Sequence, residues 1–234
     1  MQWFYNPTLP FHMWDKIHLI TIAIIISLLC CLYICRTNLL SYRHSIRLTV
    51  GISLLVSRLS LDIWYVTTGE WDVRFSLPLE LCSIASIACA FMLLTKNRFL
   101  FEAFYFIGIA GATQAILTPD LAFGFPQYRY VQFFFDHLLL IAAPLLMIWL
   151  YDYSITKWSL LKAFITINCI AACTFFLNLI LDANYMFLMH KPNSASLLDM
   201  LGPYPMYLFA LEIIALAIFF LLYVPFMKQY KGQC

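Results

Sequence analysis

The sequence predicts an all-α, polytopic membrane bundle of seven transmembrane helices, with the N-terminus outside and the C-terminus cytoplasmic. Three observations predict it. The chain is 63% hydrophobic and only 11% charged over 234 residues, with a mean hydropathy of +0.84. A soluble domain carries about 25% charged residues, so one water-exposed core cannot hide this much apolar surface. The apolar residues fall in runs near the ~20 residues that a ~30 Å hydrocarbon layer requires. Those runs show no period-two alternation, which excludes a β-barrel and leaves helices to satisfy the backbone within lipid.

The runs are taken in order. The first covers about 17–35, from His18 to Cys35, and the second about 48–67, with Arg58 and Asp62 inside it. The third and fourth cover about 77–95 and 99–117, separated by Lys96 and Arg98. The fifth, sixth and seventh cover about 130–151, 160–181 and 204–226. No repeat, low-complexity run or linker divides the chain, so residues 1–234 read as one integral membrane domain. The aromatic N-terminus has no basic region and no small-residue cleavage site, so no cleaved signal peptide is expected.

Orientation follows from the bases. Arg36, Arg43, Arg47, Lys96, Arg98, Lys157, Lys162, Lys228 and Lys231 fall on one side. Lys16, Arg74, Arg129 and Lys191 fall on the other, where the longer, acid-bearing loops also lie. A multi-pass protein of the cell membrane is therefore expected. The net charge of +2 and the lack of a basic stripe give no support for nucleic acid as a partner. Membrane lipids are the expected partners, and the oligomeric state is not set by the sequence.

Cysteine usage is not that of a disulfide framework. All but Cys234 sit in or beside apolar runs, and no CxxC pair occurs. His12, His18, His44 and His190 show no ligand pattern, and neither do Asp136 and His137 together, so no metal is expected. No phosphate-binding or dinucleotide motif is present, and no cofactor is implied.

Depth counting gives the functional reading. The third segment enters from outside at Pro78, which places Cys82 ~6 Å inside at 1.5 Å per residue. The fifth enters near Tyr130, which places His137 ~10 Å inside by the same rise. Asp62, Gln114 and Asn178 fall near the outer ends of their segments, and Glu212 in the outer half of the last. Ionisable groups in hydrocarbon normally face a bundle interior or a watery cavity. An outward-opening polar pocket is therefore expected, with Asp62, Glu80, Gln114, Asp136, Asn178 and Glu212 as its supporting residues. Glu80, two residues inside, is expected to snorkel to the headgroups. Arg58 and Asp62, four apart on one helical face, are expected to pair locally.

Small residues line the third and fourth segments: Cys82, Ala85, Ser86 and Cys89 on one, and Gly108, Gly111, Ala112 and Ala115 on the other. Such stripes permit close helix approach in lipid. Cys82 thus has two readings, a packing residue or a nucleophile. A thiol becomes a nucleophile when a neighbouring imidazole takes its proton. In a membrane its matching chemistry is acyl transfer or hydrolysis through a thioester.

The ordered stretches Ile63-Trp64-Tyr65, Thr68-Gly69-Glu70-Trp71, Leu77-Pro78-Leu79-Glu80-Leu81-Cys82-Ser83, Thr118-Pro119-Asp120, Gly124-Phe125-Pro126 and Phe133-Phe134-Phe135-Asp136-His137 carry a resemblance. Asn184-Tyr185-Met186-Phe187-Leu188, Lys191-Pro192 and Leu198–Pro205 continue it. The chain resembles the YwaF-like bacterial integral membrane proteins, relatives of the transmembrane-protein-164 family. The resemblance implies a seven-helix membrane protein. It further implies, by likeness to the eukaryotic phospholipid acyltransferase branch, a cysteine nucleophile and a histidine at Cys82 and His137. Bacterial members carry His where this chain has Glu80, which bears on any catalytic part played by that position. Two functions follow as expectations: a lipid acyltransferase or thioesterase using Cys82 and His137, or a non-catalytic lipid or small-molecule binder, such as a transporter or sensor component.

Overall fold

The computed structural model describes residues 9–192 and 197–230. Lys231 and Cys234, and the side chain of Lys228, lie outside the described residues. Among those described there are seven α-helices and no strand. They are α1 (Lys16–Ile34), α2 (Arg43–Thr68), α3 (Leu81–Thr95), α4 (Arg98–Leu117), α5 (Tyr128–Tyr151), α6 (Lys157–Leu181) and α7 (Met206–Tyr230). Five of them, α1, α4, α5, α6 and α7, are long and apolar enough to cross a membrane. Helix α2 has the length, at 26 residues, but carries Arg43, Arg47, Arg58 and Asp62. Helix α3 is short, with 15 residues that rise only about 22 Å.

The ends of the helices have local causes. Asp15 caps α1 by accepting from the His18 N–H at 2.7 Å, and Asn97 caps α4 through the Leu100 N–H at 3.0 Å. Thr156 and Ser159 form a reciprocal capping box at the start of α6. Gly69 ends α2 in the left-handed region, with φ of 75°.

The third helix begins at Leu81 rather than near Leu77, because the preceding backbone is bound elsewhere. The Ser76 carbonyl accepts from Arg58 at 2.9 Å, and the Leu77 N–H donates to the Tyr185 hydroxyl at 2.9 Å. Residues 77–80 therefore form a turn that enters the helix, and Cys82 is the second residue of α3.

Helices α2, α3, α4 and α5 form an inner group, with α3 and α5 each packed on the other three and α5 the most buried helix. Helix α6 packs on α4, α7 on α4 and α6, and α1 on α5. Buried side chains of all seven helices join one apolar cluster. Glycines set the closest approaches: a β-carbon on Gly51 of α2 would lie 3.3 Å from the Leu93 side chain of α3. The exposed surface carries large apolar side chains such as Ile24, Val56, Phe176 and Leu221, as a lipid-facing surface does.

One end of the bundle is closed by the chain's own loops. The Phe11 N–H donates to the Ala122 carbonyl at 3.0 Å, and the Gly124 N–H to the Leu9 carbonyl at 2.8 Å. A β-carbon at Gly124 would sit 2.7 Å from the Pro10 carbonyl oxygen. That is a clash between two backbones, with no flexible side chain to yield. Gly124→Ala is expected to cost about 1–3 kcal/mol, the range for overpacking a close contact. Thermal unfolding in detergent measures it, and faster proteolysis near residues 9–11 is expected alongside.

Candidate functional site

The start of α3 is fixed from two sides. From α2, the buried Arg58 donates to Ser83 Oγ at 3.2 Å and to the Ser76 carbonyl, and it forms an ion pair with Asp62. The expected local pairing of Arg58 with Asp62 is therefore present. It also reaches across to the residue that follows Cys82. From the loop after α6, the Met186 N–H donates to Glu80 Oε2 at 3.1 Å. Glu80 thus does not snorkel outward as expected. It is half-buried and holds another segment of backbone.

That loop is itself clamped. Asn178, 1% exposed, donates through Nδ2 to the Tyr185 carbonyl and accepts the Tyr185 N–H at Oδ1, both at 2.9 Å. The Tyr185 hydroxyl then donates to the Val73 carbonyl at 2.7 Å and accepts from Leu77. In the loop between α2 and α3, Arg74 binds Asp72 through its side chain and its backbone N–H. This holds the Asp72 carboxyl well below its usual range, at about 2. Asp72 therefore stays ionised at neutral pH and keeps the loop folded on itself.

Cys82 is half-buried and faces α4. A β-carbon on Gly111 would lie 3.7 Å from its sulfur. Two turns further along α3, the fully buried Cys89 has the same relation to Gly108, also at 3.7 Å. From the opposite side, Leu140 of α5 reaches to 3.4 Å of the same Gly108 position. The glycine stripe of α4 thus receives side chains from α3 and α5 together.

On α5, Asp136 and His137 are both buried, at 8% and 6% exposure. Ser86 Oγ, one turn beyond Cys82, donates to Asp136 Oδ2 at 2.6 Å. The other carboxylate oxygen, Oδ1, is buried with no partner among the described residues. His137 Nδ1 lies 2.7 Å from the Phe133 carbonyl. A carbonyl only accepts, so Nδ1 carries the proton and the neutral ring keeps its lone pair on Nε2. The imidazole also packs on the Phe133 ring, with centroids 4.2 Å apart.

The remaining residues expected around the pocket are placed differently. Gln114 is exposed and bonds within its own helix to Thr118. Glu212 accepts from Asn168 at 3.0 Å, joining α7 to α6. Asn178 serves the Tyr185 clamp and Asp62 the Arg58 pair. Three groups not assigned to the site from the sequence belong to its frame: Arg58, Ser86 and Tyr185. Ser86 carried the one available signal, since it lies four residues from Cys82 on the same stripe.

The model of the TMEM164 family matches residues 11–223, nearly the whole chain, from before α1 into α7. The chain belongs to the TMEM164 family. A protein of Treponema pallidum (strain Nichols), described only as uncharacterized, is 26% identical over 196 residues, covering 84% of this chain and 80% of its own. No solved structure matches. Membership of the TMEM164 family, with the apolar helices, makes this a membrane protein.

Proposed function

We propose that this TMEM164-family protein is a membrane-embedded lipid acyltransferase or thioesterase in which Cys82 is the nucleophile and His137 its base. The observation that supports this most is the shared wall of α4. Cys82 and Cys89 meet Gly111 and Gly108 from α3, while Leu140, one turn on from His137, meets Gly108 from α5. The Ser86–Asp136 bond fixes the register between the two flanking helices. By helical rise it sets His137 about 7.5 Å further along the bundle than Cys82, nearly one and a half turns.

His137 Nε2 takes the Cys82 thiol proton, and the sulfur attacks the carbonyl carbon of a lipid acyl ester. A C–S bond forms, the ester C–O bond breaks, and the departing lipid oxygen receives the proton from His137. A lipid hydroxyl or water attacks the thioester next, giving its proton to His137, and the sulfur leaves as the regenerated thiol. Two features suit this course. The Phe133 carbonyl holds the imidazole in the tautomer that leaves Nε2 free to accept. The first amides of α3 have no side-chain cap and present partial positive charge to a developing acyl oxyanion.

We further infer that all seven helices lie across the cell membrane with the N-terminus outside, α2 and α3 being shielded from lipid charge by their mutual packing. A fluorescent-protein fusion at the C-terminus is expected to fluoresce and an alkaline phosphatase fusion to be inactive. The reverse pattern overturns the orientation.

A second reading, a non-catalytic lipid binder, has its own support. A cleft of about 380 Å³ between α2 and α5 is walled by Ile52, Val56, Val131 and Phe135, with Ser57 and Gln132 on its floor. Lipidomics of membranes containing wild type, Cys82→Ser and His137→Ala separates the readings. Acyl redistribution seen with wild type and absent from both variants supports the enzyme. Identical lipid profiles support the binder.

A further inference from the structure

At the opposite end of the bundle from Cys82, three cations converge on one aromatic ring. The Arg43 and Arg47 guanidinium carbons lie 5.5 and 5.9 Å from the centroid of the Tyr151 ring, and Lys96 Nζ lies 5.0 Å from it. Three helices bring them there: Arg43 and Arg47 from the start of α2, Lys96 at the end of α3, and Tyr151 at the end of α5. The Tyr153 hydroxyl locks two of these ends together, donating to the Lys96 carbonyl at 2.8 Å.

Part of this arrangement is structural. Arg47 is 4% exposed and donates to the carbonyls of Leu93 and Leu94, filling the open end of α3. Cations are favoured at helix C-termini. That explains Arg47 but not the surplus. Among the described residues, the ion pairs are Arg58–Asp62, Arg74–Asp72, Arg98–Glu102, Lys162–Glu102 and Lys191–Asp199. None of them neutralises Arg43, Arg47 or Lys96, and Asp152, the neighbouring acid, joins no pair. Arg47 Nε is moreover buried with no partner. Three like charges around one ring, one of them carrying an unfilled donor, form a place for an anion.

The surroundings indicate the kind of anion. Tyr42, Phe99 and Trp158 stand exposed at this end, as aromatic side chains do at the level of lipid headgroups. Guanidinium pairs and a lysine suit phosphate oxygens. We propose that Arg43, Arg47 and Lys96 around Tyr151 bind the phosphate of an anionic phospholipid headgroup. The site is separate from the Cys82 region and does not depend on its chemistry.

The test uses the full-length protein purified in mild detergent, incubated with mixed dioleoyl phosphatidylglycerol and phosphatidylcholine, washed, and analysed for retained lipid. Wild type is expected to retain phosphatidylglycerol in clear excess, and less of it in 0.5 M salt. With each base near the surface contributing a similar increment, Arg43→Gln with Lys96→Gln is expected to weaken retention about 30-fold. Arg47 is left intact so that α3 keeps its end. Stabilisation of wild type by inorganic phosphate alone, lost in the double variant and with no lipid retained, supports the phosphate site but assigns it to the free ion. Salt-insensitive retention by wild type, or equal retention by the double variant with an unchanged melting profile, overturns the proposal and leaves only helix-end partners.

Discussion

Cys82→Ala is expected to abolish formation of an acyl-protein adduct and to lower turnover of a fluorescent phospholipid by at least ~10³-fold, as loss of a covalent nucleophile does. His137→Ala is expected to leave the thiol in place but slow adduct formation by about 10²–10⁴-fold, the usual worth of a positioned general base. Cys89→Ala is the control. It removes a more deeply buried thiol from the same stripe, against Gly108 in place of Gly111, and is expected to keep the adduct. Intact-mass measurement of protein incubated with the lipid reads all three. An adduct that survives Cys82→Ala, or one lost equally in Cys89→Ala, removes the nucleophile from this position.

The contrast between Cys82 and Cys89 shows what the sequence made legible. Segment lengths and the bases between them mark out the helices, but α2 starts at Arg43, before the expected 48, and α3 at Leu81, after the expected 77. The small-residue stripes also predict which faces meet: Cys82 and Cys89 do lie on the Gly111 and Gly108 face of α4. Counting residues inward, however, gives depth along the axis and not direction around it. In water, an apolar stripe marks the inward face of a helix. In lipid both faces are apolar, so the pattern cannot tell a core residue from a lipid-facing one. Gln114 and Glu212 share the depth of the proposed site, yet one is exposed on α4 and the other joins α7 to α6.

Loop contacts were illegible for a different reason. The bonds from Tyr185 to Val73 and Leu77, and from Glu80 to Met186, join segments about 100 residues apart. They depend on the turn after α6, where Asp182 and Met186 take positive φ values of 50° and 59°. Neither residue type signals such a conformation as glycine would. Arg58 was legible only in its local half. Spacing of four predicts the pair with Asp62, while its bonds to Ser76 and Ser83 follow from how α2 lies against α3.

Asn178→Ala is expected to be the most damaging substitution to stability away from Cys82 and His137. The side chain is 1% exposed and its amide satisfies both polar groups of the Tyr185 backbone. Removing it strands a buried N–H and leaves the C=O only a long 3.5 Å bond from the Leu188 N–H. Each stranded group costs about 1–3 kcal/mol, so a total loss of about 3 kcal/mol is expected. The loss spreads, because Tyr185 in turn holds Val73 and Leu77, and Met186 holds Glu80. The neighbouring Phe187 carbonyl has its own support from the Tyr207 hydroxyl, so the loss centres on Tyr185 and Met186. Tyr185→Phe keeps the Asn178 bonds and deletes only the hydroxyl, so about 1–2 kcal/mol is expected there. Thermal unfolding in detergent gives both values. Limited proteolysis between residues 183 and 192 is expected to quicken for Asn178→Ala well before global unfolding. If the melting point and the cleavage rate both stay at wild-type values, the loop does not depend on this amide, and its hold on α3 rests on other contacts such as the Tyr207 bond to the Phe187 carbonyl.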